Sequence, residues 1–351
     1  MVVDKLSELQ GYIRQMIATA GSGHYASSMS ALEIMFPLFY GEGIKPDQFI
    51  LSKGHAAPAL YAILYDLGYI DSFDNFRQFG GLPGHPSIET NGVLCSSGSL
   101  GMGISKAVGL AHVNKDKVYH VLIGDGELQE GSNWEALHYI NHNKIHMHIW
   151  VDCNNKQYSG DLCTTLPCWV LEKANEYFGN HIHFKFTTWQ QDNHYLTIPK
   201  DNPKVKKYSE QLQKLMSVDN RVICLNADLE HDFGLTPIKE RFPDRYIQCG
   251  IAEQHMVSMA GGLARAGMLP FCHTFGAFYR RALDQIYNNC CDNLPIVYVA
   301  GLCGEFDVNI GKSHEQYSTD FYSILPNIEV TNKFMAVKHS LGTRSYYLEI
   351  K

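Results

Sequence analysis

Residues 124–157, GDGELQEGSNWEALHYINHNKIHMHIWVDCNNKQ, constrain the fold more than any other stretch of this chain. The apolar run Val118–Ile123 ends at Gly124-Asp125-Gly126, a helical pattern follows from about Trp134 to Asn143, and a second apolar run, His146–Val151, ends at Asn154-Asn155. A strand, a helix and a strand in that order form parallel neighbours of an open sheet, so both turns fall at its carboxyl edge, where such sheets bind ligands. Asp125 and Asn155 then offer hard oxygens at that edge. Mg²⁺ suits such a set, because it takes a few protein oxygens and leaves its other positions to phosphate and water; Ca²⁺ or Mn²⁺ would accept similar donors. Glycines such as Gly126 let backbone approach a diphosphate closely. Taken alone, Gly-Asp-Gly is an ordinary turn tripeptide.

Composition narrows the class without naming it. An apolar content of 45% with 19% charged residues belongs to a globular protein, and 351 residues suffice for two domains. A net charge of −7 argues against nonspecific nucleic-acid binding. No apolar run approaches bilayer-spanning length, so no membrane anchor is expected. Ten cysteines, including the pair Cys290-Cys291, occur without a secretory leader or a CxxC framework, which suggests reduced thiols in a cytoplasm.

The chain divides into two α/β halves. Residues 1–190 are expected to form a diphosphate- and Mg-binding domain and residues 204–351 a second domain, joined by a linker over 191–203 bounded by Pro199 and Pro203. The first half also carries Ser97-Gly98-Ser99-Leu100-Gly101-Met102-Gly103, followed by a helical pattern from Ile104 to His112. The second opens with Val205, Tyr208, Leu212, Leu215 and Met216 at helical spacing, then the strand Arg221–Asn226. The fold class read from this pattern is α/β, with two domains each built on a mainly parallel sheet flanked by helices.

The GDG…NN spacing resembles the thiamine diphosphate (ThDP) signature, and Glu130-Gly131 followed by Trp134-Glu135-Ala136 resembles the transketolase branch of that family. Further motifs occur in the family's order. Ser22-Gly23-His24, Leu51-Ser52-Lys53-Gly54-His55-Ala56 and Gly84-His85-Pro86 resemble its active-site histidine segments. Asn226-Ala227-Asp228-Leu229 resembles the opening strand of its pyrimidine-binding domain, and Gly250-Ile251-Ala252-Glu253-Gln254-His255 its catalytic-glutamate motif, in a form also seen in deoxyxylulose-phosphate synthases. Thr274-Phe275-Gly276-Ala277-Phe278 resembles its aromatic wall and Ser313-His314-Glu315-Gln316 its last substrate-facing histidine. Each motif alone has a bland structural explanation, such as a satisfied core histidine or a core aromatic pair; their joint order does not.

The resemblance implies roles. Glu253 would share a proton with the aminopyrimidine ring, a task for a partly buried carboxyl, although a carboxylate favoured by a helix dipole fits the same position. Phe275 and Phe278 would pack on that ring. His55, Gly98, Leu100 and Gly126 would contact the cofactor, and Asp125, Asn155 and Gln157 would hold the metal. Glu130 would meet the partner subunit's carboxylate across a dimer interface, or equally be a solvated loop residue. His24, His85 and His314 would line the path of a sugar and relay protons; His255 would be structural.

Departures from the family shape the expectation too. The match ends at Tyr346–Ile350, like the last strand of the pyrimidine domain, so a short form without the family's third domain is expected. The family's final helix–strand unit of the first domain has no clear counterpart between Asp161 and Pro199. Leu302-Cys303-Gly304 and Leu348-Glu349-Ile350 carry no cation where the family grips sugar phosphates, so the substrate is expected to be non-standard, or else Lys312 or Arg280 replaces the clamp. The reading is a cytoplasmic, homodimeric transferase moving a two-carbon ketol unit between sugars or sugar-derived substrates. The alternatives are a deoxyxylulose-phosphate-synthase-like condensation and an inactive ThDP-binding subunit of a larger complex.

Overall fold

The computed structural model describes residues 2–161, 182–187, 202–301, 314, 320–339 and 341–350. These form two compact units, the first containing residues 2–156 and 182–187, the second the remainder.

In the first unit, strands β1 (Phe49–Leu51), β2 (Tyr119–Gly124) and β3 (Met147–Cys153) lie side by side and parallel, and Ile182–Phe186 adds a fourth parallel strand next to β3. That last strand corrects the expectation that the stretch after Asp161 holds no counterpart of a further strand. Its five residues, Ile-His-Phe-Lys-Phe, alternate apolar and polar, but so short a run is a weak signal, and its polar face is used in the fold, His183 stacking on Trp150 with 4.3 Å between rings. The sheet is covered on both faces, as parallel sheets require. Helices α1 (Val2–Ala20), α2 (Tyr25–Phe36) and α3 (Ala57–Asp66) pack a core with Leu122 and Trp150. Helices α4 (Gly103–Val113) and α5 (Gly131–Asn143) pack against Val121, Ile123, Ile149 and Val151 on the other face. Period-two alternation along β2 thus sends Leu122 one way and its neighbours the other.

The second unit is a six-stranded parallel sheet. Its order is Ile328–Thr331, Ser345–Ile350, Val297–Gly301, Leu269–Phe275, Val222–Asn226, Tyr246–Gln248. The chain's direction of travel across the sheet reverses between Val222–Asn226 and Leu269–Phe275. A crevice opens at such a switch, outside the strands' carboxyl ends. The helix Pro203–Val218 starts at Asn202, whose side chain caps Lys204 N, and buries Tyr208, Leu212, Leu215 and Met216 against the strands.

Candidate functional site

The first unit gathers oxygens and close backbone at its carboxyl edge. Asp125 follows the end of β2 and is 2% exposed. Its Oδ1 accepts from Gly126 N (2.8 Å) and its Oδ2 from Asn155 N (2.6 Å), so one carboxylate ties the turn after β2 to the turn after β3. Burial, ahead of every other cause, raises its pKa to about 6. Asn155 is exposed and left-handed (φ 58°), a conformation that asparagine tolerates better than most side chains. Gln157 is placed differently. It belongs to the second unit, where its amide donates to Asp228 Oδ1 at 2.9 Å.

Gly98 and Gly101 sit at φ 121° and 82° in the glycine-rich loop, with Leu100 half-buried between them. A Cβ on Gly54 would stand 2.6 Å from Gly98 N, and one on Gly101 2.6 Å from Glu130 Cβ. Only glycine permits those approaches. Glu130 is buried beside that loop. His24, at the N-cap of α2, and His55 meet edge to face with ring centroids 5.1 Å apart; His85 is buried on the loop that leads to Ser97. Ser97 Oγ is buried without a hydrogen-bond partner.

Beneath this edge lies an ion pair that sequence reasoning missed. Lys53 Nζ reaches Asp152 Oδ2 at 2.5 Å, with both side chains almost wholly buried, and Ser30 and Thr187 hydroxyls donate to the same carboxylate. A buried pair survives only with such extra donors. The adjacency of Lys53 to the His55 motif was the available signal.

The second unit presents rings and one carboxyl. Glu253 is the first residue of the helix Glu253–Arg265 and is 4% exposed. Its Oε2 has no hydrogen-bond partner, and Arg281 Nη1 stands 3.6 Å from it. Phe275, at the end of its strand, and Phe278 lie 5.5 Å apart, and the His314 ring is 5.0 Å from Phe278 and 6.3 Å from Phe275. The flanking Ser313, Glu315 and Gln316 lie outside the described residues, as do Leu302-Cys303-Gly304 and Lys312. Arg280 is exposed and donates Nε to Ala277 O.

Asp228 lies in the segment Asn226-Ala227-Asp228-Leu229, which sequence reasoning singled out without giving Asp228 a role. It holds a left-handed backbone (φ 58°) at the switch point, and its carboxylate accepts from Gln157 Nε2, Tyr158 N and Ser159 N, each at 2.9 Å. Burial raises its pKa to about 6 against those bonds. A non-glycine φ above zero in a buried position was the feature no one-dimensional pattern carries.

Together these features define a protein of two parallel-sheet units, one ending in oxygens and glycines, the other in rings and buried carboxyls. The family description "Transketolase, thiamine diphosphate binding domain" matches residues 12–177, and "Transketolase, pyrimidine binding domain" matches residues 204–336. The chain belongs to the transketolase family. Human transketolase is 30% identical over 85% of this chain and 64% of its own length. A 1-deoxy-D-xylulose-5-phosphate synthase of Clostridium perfringens is 26% identical over 92% of this chain and 67% of its own. A solved Campylobacter jejuni transketolase is 20% identical, with a TM-score of 0.48, over 100% of this chain and 78% of its own. The chain thus spans about 64% of the length of the human protein it matches. Among the described residues no helix is long and apolar enough to cross a membrane.

Proposed function

We propose that this chain, as a homodimer, binds thiamine diphosphate through a divalent cation, Mg²⁺ by preference, and transfers a two-carbon ketol unit from a ketose donor to an aldehyde acceptor. The observation that carries the reading is Glu253, a buried carboxyl whose Oε2 lacks a hydrogen-bond partner at the start of a helix in the pyrimidine-type unit. Arg281 at 3.6 Å offsets its charge but leaves Oε2 without a hydrogen bond, which a ligand would supply.

The residues fit the cofactor. Asp125 and Asn155 would supply metal oxygens, a donor set that suits Mg²⁺; Gln157, committed through its amide to Asp228, would contribute only its carbonyl oxygen. Gly126 and the Gly98–Leu100 segment, with the unpartnered Ser97 Oγ, would face the diphosphate, as would His55. Phe275 and Phe278 would pack against the pyrimidine. When bound, ThDP supplies the electron sink for carbon–carbon cleavage. Glu253 would share a proton with the pyrimidine ring through its Oε2. His24, His85 and His314 would exchange protons with the sugar's hydroxyls. Glu130 would pair with its counterpart in the second protomer.

Substrate choice follows from charge. Glu349 on the final strand is buried where the resemblance expects a phosphate-gripping cation, which favours a donor without a terminal phosphate at that point. Arg280 is the described cation that could take over. The first test is titration of the protein with ThDP and Mg²⁺ by tryptophan quenching, followed by a mass-spectrometric screen of ketose donors against aldehyde acceptors. Saturable, Mg²⁺-dependent quenching and a two-carbon mass shift are expected; no quenching at millimolar cofactor would sink the reading. The Gly250–His255 motif and the extent of the match to the synthase favour one rival, condensation from pyruvate with release of CO₂, and pyruvate belongs in the same screen.

A further inference from the structure

We propose that Glu127 is a positioning residue, a buried latch that fixes the glycine loop 98–103 to the ends of β1 and β2 and so sets the backbone a diphosphate would meet. Glu127 stands two residues after Asp125, in the 3-10 turn Gly126–Gln129, and is 2% exposed. Its neighbours are all donors. Oε1 accepts from Ser52 Oγ and from Gly101 N at 2.8 Å, and Oε2 accepts from Gly124 N at 3.4 Å. Ser52 Oγ in turn accepts from Gly103 N at 3.1 Å, while Ser52 N is held by Leu122 O at 2.9 Å on β2. Two amides of the loop are therefore gripped by one carboxylate, one directly and one through a hydroxyl.

The chemistry of that node selects a carboxylate. An ionised carboxyl accepts at both oxygens and donates nothing, which matches three arriving donors. An alanine leaves Gly101 N, Ser52 Oγ and Gly124 N without their acceptor. A glutamine can still present its oxygen to Ser52 and Gly101 and loses only the long contact to Gly124. The loop also has no slack against which to settle. A Cβ on Gly103 would come 2.3 Å from Ser52 Oγ, and one on Gly54 2.9 Å from Gly98 Cα. The latch thus joins the Asp125 turn, the Ser52–His55 segment and the loop into one piece, and glycines that lie so close keep their shape only while it holds.

The test compares Glu127→Ala, Glu127→Gln and wild type by hydrogen–deuterium exchange without cofactor, then by ThDP titration with Mg²⁺. In Glu127→Ala, exchange across residues 98–104 should rise about tenfold while β3 and residues 119–123 of β2 keep their protection, because the freed amides are those of the loop and of Gly124 at the very end of β2. Glu127→Gln should bring the loop back to within about threefold of wild type. The ThDP half-saturation should follow the same order, about tenfold weaker in Glu127→Ala. Only this second readout rests on the proposed function; absence of ThDP binding by wild type would dispose of that function and leave the exchange result to judge the latch. Unchanged loop exchange in Glu127→Ala, or loss of protection in loop and strands alike without rescue by glutamine, would overturn the proposal.

Discussion

The two sheets of this protein end their strands in opposite chemistries. The first closes on Asp125, Asn155 and a glycine loop packed within van der Waals reach of its neighbours. The second closes on Phe275, Phe278 and His314, with the buried carboxyl of Glu253. The same parallel architecture thus carries a hard-anion, hard-cation surface in one unit and a ring-stacking surface in the other. A cofactor with a diphosphate at one end and an aromatic ring at the other would need both. The sharpest break of that comparison is Glu253→Gln, which keeps the shape and removes the acid. Turnover in the donor–acceptor assay should fall by about 10²–10⁴-fold with ThDP half-saturation changed by little, the signature of lost proton transfer. Retained turnover would refute the assigned role.

Asp125 tests the opposite end. Its carboxylate both offers oxygens to a cation and joins two turns through Gly126 N and Asn155 N. Asp125→Ala should weaken Mg²⁺-dependent ThDP binding by about 10–100-fold, the range typical of a disturbed metal site. Calorimetry at fixed Mg²⁺ reads this directly. An unchanged affinity would mean that the first unit contributes no metal oxygen there.

The frame of this architecture was legible in one dimension. The runs read as Val118–Ile123 and His146–Val151 correspond to β2 and β3, the helix from about Trp134 to Asn143 to α5, and the strand Arg221–Asn226 to Val222–Asn226, each within a turn or a residue or two. Periodicity is local, so it survives in sequence. What escaped were pairings over long separations. Lys53 meets Asp152 across 99 positions and Glu127 meets Ser52 across 75, and no spacing rule links such residues. Asp228 escaped for a further reason: its role depends on a left-handed backbone that only the folded chain reveals. The strand Ile182–Phe186 was missed because five alternating residues are too short a run to stand out, and the contacts of His183 and Lys185 with Trp150 that fix it are not local in sequence.

Each unit also buries a neutral histidine, and the two are held in different ways. His120 Nδ1 accepts from Trp150 Nε1, and burial followed by the nearby His148 and His183 depresses its pKa to about 4. His273 donates from Nδ1 to Leu225 O and accepts at Nε2 from Tyr208 OH, and burial takes it to about 4 as well. A folded pKa below the ordinary value gives stability that is complete above about pH 6.5 and is lost as pH falls through about 4. Wild type should therefore lose on the order of 2 kcal/mol relative to His120→Gln, and likewise relative to His273→Gln, between those limits. Urea melts of the cofactor-free protein at pH 7 and pH 4.5 measure the gap. Asp125, Asp228 and Asp232, raised to about 6, act with the opposite sign over about pH 3.8–6, which is why the comparison is made between variants and not on the wild-type profile alone.

The smallest expected effect sharpens the ring-binding side. Phe278 touches both Phe275 and His314, whereas Phe275 also leans on Phe233 at 6.4 Å. Removing Phe278 therefore strips one wall and leaves Phe275 supported from behind. Phe278→Ala should cost about 0.5–1.5 kcal/mol of ring contact, about a threefold to tenfold rise in ThDP half-saturation. Phe278→Tyr keeps the ring and should stay near wild type. The informative control is inorganic pyrophosphate, which carries the anion and lacks the ring. Its competition against ThDP should require about the same concentration to occupy the Phe278→Ala protein as wild type, since the first unit is untouched. If pyrophosphate affinity falls in step with ThDP affinity, the division of labour between the two sheets is wrong, because a ring wall in the second unit would then be governing the anion site of the first.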